Sequence, residues 1–128
     1  MIIDGKIEAK ALRDKIKKEI SLIKDKMNKI PSLSVILIGN YTPSEIYVRN
    51  KIKMSKEVGI SSNVFRYPEE VSEKEILNKI EELNNDSNVS GILVQLPLPK
   101  NIDKKKVINL ISPLKDVDGF HPINVGNL

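Results

Sequence analysis

Two short segments that are apolar at almost every position limit most strongly what this chain can fold into. Residues 33–38 read LSVILI and residues 89–96 read VSGILVQL, and the two segments are followed by Gly39 and Pro97. A strand with one face in water alternates apolar and polar residues, whereas a strand that is apolar throughout has both faces covered. We therefore predict two strands of a parallel sheet that lies between layers of helices.

Helix signals precede and follow the first of these strands. Apolar residues in steps of three and four predict a long amphipathic helix that ends before Pro31. These residues are Ala9, Leu12, Ile16, Ile20, Ile23 and Met27. Thr42 is predicted to be the N-cap of a second helix, with Pro43 as its first helical residue and Glu45 as the partner in a capping box. Gly59 is predicted to end that helix.

The rest of the chain continues the alternation of strands and helices. A further strand is predicted over residues 62–67, and Ser72 with Glu75 forms a capping box that predicts the next helix. A last helix is predicted over residues 103–111, followed by a loop over residues 112–122. We predict a single α/β domain, a three-layer parallel β-sheet flanked by helices.

The composition excludes several kinds of site. The 128 residues contain no Cys, which excludes thiolate catalysis, cysteine-bound metals and disulfides. The single His, His121, excludes a multi-histidine metal site, and we expect His121 to be structural. No apolar stretch is long enough to cross a membrane and no signal-peptide pattern begins the chain, so we expect a cytoplasmic protein without a membrane partner.

The net charge of +4 comes from 21 Lys and Arg against 17 Asp and Glu. A basic surface could bind nucleic acid, but the Lys clusters alternate with acids or lie on predicted helices, which favours a solvated surface. Aromatic residues make up 4% of the chain, so stacking surfaces for single-stranded nucleic acid are few. We therefore expect no nucleic-acid partner.

Polar side chains that could carry chemistry follow the predicted strands. Ser44, Tyr47 and Lys51 occupy an arc of about 60° and a length of about 10 Å on the second predicted helix. Ligands of parallel α/β sheets bind at the carboxyl ends of the strands, where this helix begins. The spacing alone leaves a structural alternative open, in which Tyr47 packs and Lys51 extends into solvent.

One amide and two acids lie in segments that reach the same edge of the predicted sheet. Gln95 interrupts an apolar strand, and a buried amide costs about 1–3 kcal/mol unless it finds partners. It either satisfies a neighbouring backbone group or orients a ligand or Lys51. Asp116 and Asp118 lack the glutamate of a calcium loop, so no metal site is predicted. One of them can cap its loop, and a carboxylate can also accept two parallel N–H bonds from an amino-substituted ring.

Four segments together resemble a known family. They are IIDGK (2–6), YTPSEIYVRNK (41–51), GILVQLPLP (91–99) and KDVDGFHPINVGNL (115–128). Over essentially the whole chain they resemble the bifunctional methylenetetrahydrofolate dehydrogenase/methenyltetrahydrofolate cyclohydrolase family. That family oxidises methylenetetrahydrofolate with NADP⁺, or NAD⁺ in some members, and hydrolyses the methenyl product to 10-formyltetrahydrofolate. The resemblance implies an enzyme of one-carbon folate metabolism whose substrate is a tetrahydrofolate derivative.

The resemblance also implies roles for individual side chains. Lys51 would be the catalytic lysine, Tyr47 would stack on the folate and help to hold Lys51, and Gln95 would hydrogen-bond Lys51. Asp118, rather than Asp116, would bind the amino-pyrimidine edge of the pterin. The remaining residues implied to support or line the pocket are Ser44, Val48, Val94 and Leu96.

In the family, a second, Rossmann domain binds NADP. The resemblance implies that residues 1–128 form the catalytic domain, with residues 122–128 leading into the second domain. No Gly-rich phosphate loop follows a predicted strand, so we expect the NADP-binding domain to be absent and this chain alone not to transfer hydride. Family members form homodimers largely through that domain, which leaves the oligomeric state open. The alternative function is a stand-alone folate-binding or regulatory module without turnover, although binding alone needs no lysine.

Overall fold

The structure, a computed structural model, describes residues 4–127 and has the predicted α/β class. Its elements are α1 (Gly5–Met27), β1 (Ser32–Ile38), α2 (Thr42–Val58), β2 (Ser61–Tyr67), α3 (Glu73–Asn85), β3 (Gly91–Val94), α4 (Lys104–Leu110) and α5 (Pro122–Gly126). The strands pair in parallel in the order β2-β1-β3, and helices cover both faces, which confirms the predicted layers. Residues 2–3 of the first family motif and Leu128 of the last lie outside the described residues.

The central strand, β1, is buried on both faces, as its apolar sequence predicts. Successive side chains of a strand point to opposite faces of the sheet. Ile36 belongs to the core cluster that contains Ile80 of α3 and Val107 of α4. Its neighbour Val35 belongs to the cluster that contains Val48 of α2. The sheet therefore separates two apolar cores, with α2 on one side and α3 and α4 on the other.

Replacing Ile80 by Ala is expected to lower the free energy of unfolding by about 2–5 kcal/mol, because the buried side chain leaves a cavity. Ile80 is fully buried, whereas Ile7 of α1 is 65% exposed and provides the matched control, Ile7→Ala. A surface change of that kind is expected to stay within about 0.5 kcal/mol. Urea denaturation followed by circular dichroism measures both variants, and equal losses would contradict the described core.

The predicted α1 is confirmed as a helix, but most of its apolar stripe is not buried. Ile20 is buried, whereas Leu12, Ile23 and Met27 are 57%, 43% and 70% exposed. The helix lies mainly against α2 rather than on the sheet. Ile20 meets the end of α2 at Gly59, where an added Cβ would lie 3.2 Å from the Ile20 side chain. The spacing of apolar residues therefore predicts the helix, but it does not predict how much of the apolar surface of the helix is buried.

The predicted start of α2 is wrong in detail. Tyr41, not Thr42, is the N-cap residue, so Pro43 is the second residue of the helix rather than its first. Among the described residues, no side chain forms a capping hydrogen bond at this helix start. Glu45 forms no capping box, because it lies four residues after this N-cap rather than three. Both oxygens of its carboxylate accept hydrogen bonds from Arg66 Nη1 of β2, at 2.7 and 2.8 Å.

The strand predicted over residues 89–96 is shorter in the structure. Its ladder covers Gly91–Val94, although Gln95 N still donates to a carbonyl of β1 at 3.0 Å. Before the strand, Val89 N donates to Asp86 O at 3.0 Å. The chain is therefore still in a turn at Val89 and joins the sheet only afterwards.

The predicted loop over residues 112–122 is confirmed, with two additions. Asp116 forms a parallel bridge with Ile92, so the loop extends the free edge of β3. The short helix α5 follows, with His121 as its N-cap, and His121 Nδ1 accepts a hydrogen bond from Ile123 N at 3.1 Å. This contact gives His121 the structural role expected of it.

Candidate functional site

A lysine of α2 and the amide that follows β3 meet at the carboxyl edge of the sheet. Lys51 Nζ donates to Gln95 Oε1 at 2.9 Å, and Gln95 Nε2 donates to Leu96 O at 3.1 Å. Gln95 is 9% exposed, and Lys51 is partly buried. Gln95 therefore has both of the roles predicted for it: it satisfies a backbone carbonyl, and it holds the ammonium group of Lys51.

The start of α2 is tied to the same backbone carbonyl. Ser44 is buried, and its Oγ donates to Leu96 O at 3.3 Å. Val94 is buried at the end of β3, and Leu96 is partly exposed. Val48 is fully buried in the core beneath α2, so it supports the helix. These contacts fix α2 against the end of β3 at the point where the polar side chains emerge.

Tyr47 lies one helical turn before Lys51 and is 55% exposed. Residues four positions apart on a helix lie on the same face. The structural alternative in which Tyr47 packs into the core is therefore not what the fold contains. An exposed aromatic ring beside a partly buried ammonium group provides a surface on which a planar ligand can stack.

The two acids of the 112–122 loop have different environments. Asp116 Oδ2 accepts hydrogen bonds from His121 N at 2.8 Å and from Asn124 Nδ2 at 2.9 Å. Asp118 accepts no hydrogen bond from residues 4–127, and the positive charge of nearby Lys51 stabilises its ionised form. Asp116 therefore caps the loop, and the carboxylate of Asp118 keeps both oxygens for a ligand.

The environments shift the two acid pKa values in opposite directions. Burial alone would raise the pKa of Asp116, but hydrogen bonds from Asn124 and from three backbone N–H groups together lower it. Burial raises the pKa of Asp118, and the positive charge of Lys51 only partly opposes this. Asp116 is therefore stabilised as a carboxylate, whereas the ionised form of Asp118 is less favoured than that of an ordinary aspartate.

A cavity of about 530 Å³ lies at the carboxyl edge, but it is not where these side chains meet. Its walls include Gly39, Tyr41, Pro68, Glu69 and Glu70. We place the candidate site outside it, because the cation, the amide and the unpaired carboxylate are the groups that can bind a polar ring. A much smaller cavity, of about 10 Å³, lies between β3, α4 and the loop over residues 112–122 (the acidic loop), and Asp118 is part of its wall.

Residues 4–127 also lack two structural features. No group of three His, Cys, Asp or Glu side chains there could hold a metal ion. None of the helices described there is long and apolar enough to cross a membrane.

The opposite pKa shifts predict opposite effects on stability. The stabilisation from Asp116 is present above the ordinary pKa of an aspartate and is lost as the pH falls through its lowered pKa. Asp116→Ala is therefore expected to lower the free energy of unfolding at neutral pH by about 1–2 kcal/mol. Asp118→Ala is expected to cause no loss, because ionising Asp118 disfavours the folded chain. Urea denaturation at several pH values measures both, and a larger loss for Asp118→Ala would contradict these assignments.

Known proteins match this chain over nearly its whole length. Residues 3–118 match the family described as "Tetrahydrofolate dehydrogenase/cyclohydrolase, catalytic domain". The chain belongs to this tetrahydrofolate dehydrogenase/cyclohydrolase family. A relative from Pelagibacter ubique, "Bifunctional protein FolD", is 62% identical over 128 residues, which are 100% of this chain and 46% of the relative. The chain therefore spans less than half the length of that relative.

Solved structures of the tetrahydrofolate dehydrogenase/cyclohydrolase family have the same fold. The bifunctional FolD enzyme of Campylobacter jejuni aligns with 96% of this chain and 43% of its own, with a TM-score of 0.93 and 43% identity. The dehydrogenase-cyclohydrolase of Trypanosoma brucei, solved with NADP and an inhibitor, aligns with 99% of this chain and 43% of its own, with a TM-score of 0.93 and 34% identity. The family resemblance of the four motifs is confirmed.

Sequence reasoning missed the residues that hold the acidic loop of this tetrahydrofolate dehydrogenase/cyclohydrolase domain in place. Lys115 Nζ contacts three backbone carbonyls around the end of α3, and Asn124 donates to Asp116 and to Pro113 O. The Lys115 partners lie about 30 residues earlier in the chain, and a backbone carbonyl has no sequence signature. No signal in the sequence could have indicated the Lys115 contacts.

Proposed function

We propose that this chain is the folate-binding, catalytic part of an enzyme of one-carbon folate metabolism. The enzyme would oxidise methylenetetrahydrofolate to methenyltetrahydrofolate with NADP⁺ and hydrolyse the product to 10-formyltetrahydrofolate. This chain would supply the folate site and the catalytic lysine. The observation that carries the proposal is the 2.9 Å hydrogen bond between Lys51 and Gln95, beside an exposed Tyr47 and an unpaired Asp118.

Each polar side chain has a defined task in this proposal. The carboxylate of Asp118 accepts two parallel N–H bonds from the amino-pyrimidine edge of the pterin, a geometry that fixes orientation as well as affinity. The exposed ring of Tyr47 stacks on the folate. Ser44 and Gln95 hold Leu96, and with Val48 and Val94 they keep the pocket wall in place.

The hydrolysis step is assigned to Lys51. Water adds to the carbon of the methenyl cation, and Lys51 Nζ, in its neutral amine form, accepts the proton that this water loses. The bond between that carbon and one ring nitrogen then breaks while the hydroxyl of the adduct loses its remaining proton to solvent. The proton held on Lys51 is returned to the nitrogen, which leaves a formyl group. Gln95 Oε1 keeps Nζ at the pocket while the proton moves.

The described residues do not fit NADP. A dinucleotide-binding turn carries several glycines between a strand and a helix, whereas the turn after β1 carries one, Gly39. The neighbouring cavity has Glu69 and Glu70 in its wall, which would repel the pyrophosphate. We therefore assign no step of hydride transfer to this chain, and we propose that NADP binds to a second domain of the enzyme.

The direct test is hydrolysis of methenyltetrahydrofolate by the 128-residue chain, with and without NADP⁺. We expect a rate above the spontaneous rate in buffer and no dependence on NADP⁺. A spontaneous rate in the presence of measurable folic acid binding would instead indicate the stand-alone binding module. A spontaneous rate without binding would contradict the proposal as a whole.

A further inference from the structure

Lys115 is the cation at the carboxyl end of α3, although it belongs to a different segment. Within Glu73–Asn85, α3 has no basic residue in its last turn. Lys115 Nζ donates to Leu83 O at 3.0 Å, to Asn84 O at 2.9 Å and to Asp86 O at 2.8 Å. An ammonium group has three N–H donors, so all of them are used. The carbonyls at a helix end carry partial negative charge, which strengthens these bonds.

The backbone around Lys115 is fastened to β3 as well. Ile92 N donates to Lys115 O at 2.8 Å, and Asp116 forms the parallel bridge with Ile92. Val117 packs so closely on the strand that a Cβ at Gly91 would lie 2.6 Å from Val117 Cγ2. The segment that leads to Asp118 is therefore attached to a helix through a side chain and to the sheet through its backbone.

Asp118 itself has no such attachment. Its carboxylate accepts no hydrogen bond within the described chain, so the backbone before it decides where the carboxylate lies. A protein carboxylate that binds a ligand must be held within about 0.5 Å of the productive geometry for paired hydrogen bonds to form. If the loop moves freely, only a fraction of the molecules has the conformation that binds the ligand, and the apparent Kd rises in inverse proportion to that fraction.

We propose that Lys115 is a positioning residue for the pterin-binding carboxylate of Asp118. Its three bonds to the end of α3 hold the acidic loop in the conformation that binds the ligand. The proposal rests on the proposed function, because it takes Asp118 as the group that binds the pterin. The proposal adds that the affinity for the ligand depends on the contact between the Lys115 side chain and α3, although α3 itself does not contact the ligand.

The test is a double-mutant cycle in the 128-residue chain, with folic acid as the probe and isothermal titration calorimetry as the measurement. Lys115→Met is expected to raise the Kd by about tenfold, as for a loop that is competent about a tenth of the time. In the Asp118→Asn background the same change is expected to have no further effect, because Lys115 acts only through Asp118. Lys115→Arg, which can also donate to the carbonyls, is expected to restore most of the affinity. Lys105→Met, an exposed lysine of α4, is the matched control and is expected to leave the Kd unchanged.

The outcomes separate this inference from the proposed function. If the chain does not bind folic acid, or if Asp118→Asn leaves the Kd unchanged, both are overturned. If Asp118→Asn weakens binding but Lys115→Met has no effect, or has an equal effect in both backgrounds, the positioning role alone is overturned. Circular dichroism checks that each variant folds. Should Lys115→Met not fold, Lys115→Gln, whose amide keeps two donors, is expected to give the same non-additive weakening, and additivity would overturn the role.

Discussion

Replacing Lys51 by Met is expected to reduce hydrolysis of methenyltetrahydrofolate by about 10²–10⁴-fold, the usual contribution of a general acid–base group. Met keeps a flexible chain of similar length but has no nitrogen to accept or return a proton. Folic acid binding is expected to remain measurable, because the carboxylate of Asp118 and the ring of Tyr47 are unchanged. The measurement is the hydrolysis rate at saturating substrate, together with the Kd of folic acid.

The matched control for Lys51 is Lys53→Met. Lys53 is exposed on the same helix, and residues two positions apart on a helix do not share a face. The control is expected to keep the hydrolysis rate of the unmodified chain. Unchanged turnover in Lys51→Met, or an equal loss in both variants, would contradict the assignment of the catalytic lysine.

Replacing Asp118 by Asn is expected to raise the Kd of folic acid by about 10–100-fold, since hydrogen bonds to a charged group contribute about 1.5–3 kcal/mol. The amide keeps the size of the side chain but loses the charge and one of the two acceptor oxygens that a paired N–H edge requires. Asp14→Asn, at an exposed acid of α1, is the control and is expected to leave the Kd unchanged. Isothermal titration calorimetry at neutral pH measures both.

The pH dependence of binding gives an independent readout of Asp118. Burial raises the pKa of this carboxyl, although the charge of Lys51 partly opposes the shift. Protonation removes the acceptor, so binding is expected to weaken as the pH falls through the raised pKa, at a higher pH than an ordinary aspartate would require. The Asp118→Asn variant is expected to lose this dependence, and a variant that keeps it would place the titrating group elsewhere.

Local patterns in the sequence predicted most of the fold. The apolar run of β1 was predicted within one residue of its bounds. Ser72 caps α3 as predicted, through a bond from Glu75 N at 3.2 Å, but the described residues show no return bond from Ser72 N to the Glu75 side chain, which a full capping box requires. The prediction also failed at the start of α2. Glu45 was predicted to form a capping box, but the helix begins one residue earlier and the Glu45 carboxylate binds Arg66 of β2 instead.

The candidate site could be predicted for the same reason that the sheet could. Parallel strands bring their carboxyl ends to one edge, so a helix that starts there and a strand that ends there place Lys51 beside Gln95. The local pattern alone could not decide which acid of the loop is free, because that depends on the hydrogen bonds that Asn124 and His121 make to Asp116. Only the family resemblance indicated Asp118.

The most direct test of the account is a crystal structure of this chain with folic acid bound. We expect the amino-pyrimidine edge of the pterin on the carboxylate of Asp118, its ring against Tyr47, and Lys51 Nζ within reach of the nitrogens that carry the one-carbon unit. A pterin bound instead in the cavity beside Glu69 and Glu70, without contact to Asp118 or Lys51, would contradict the central claim.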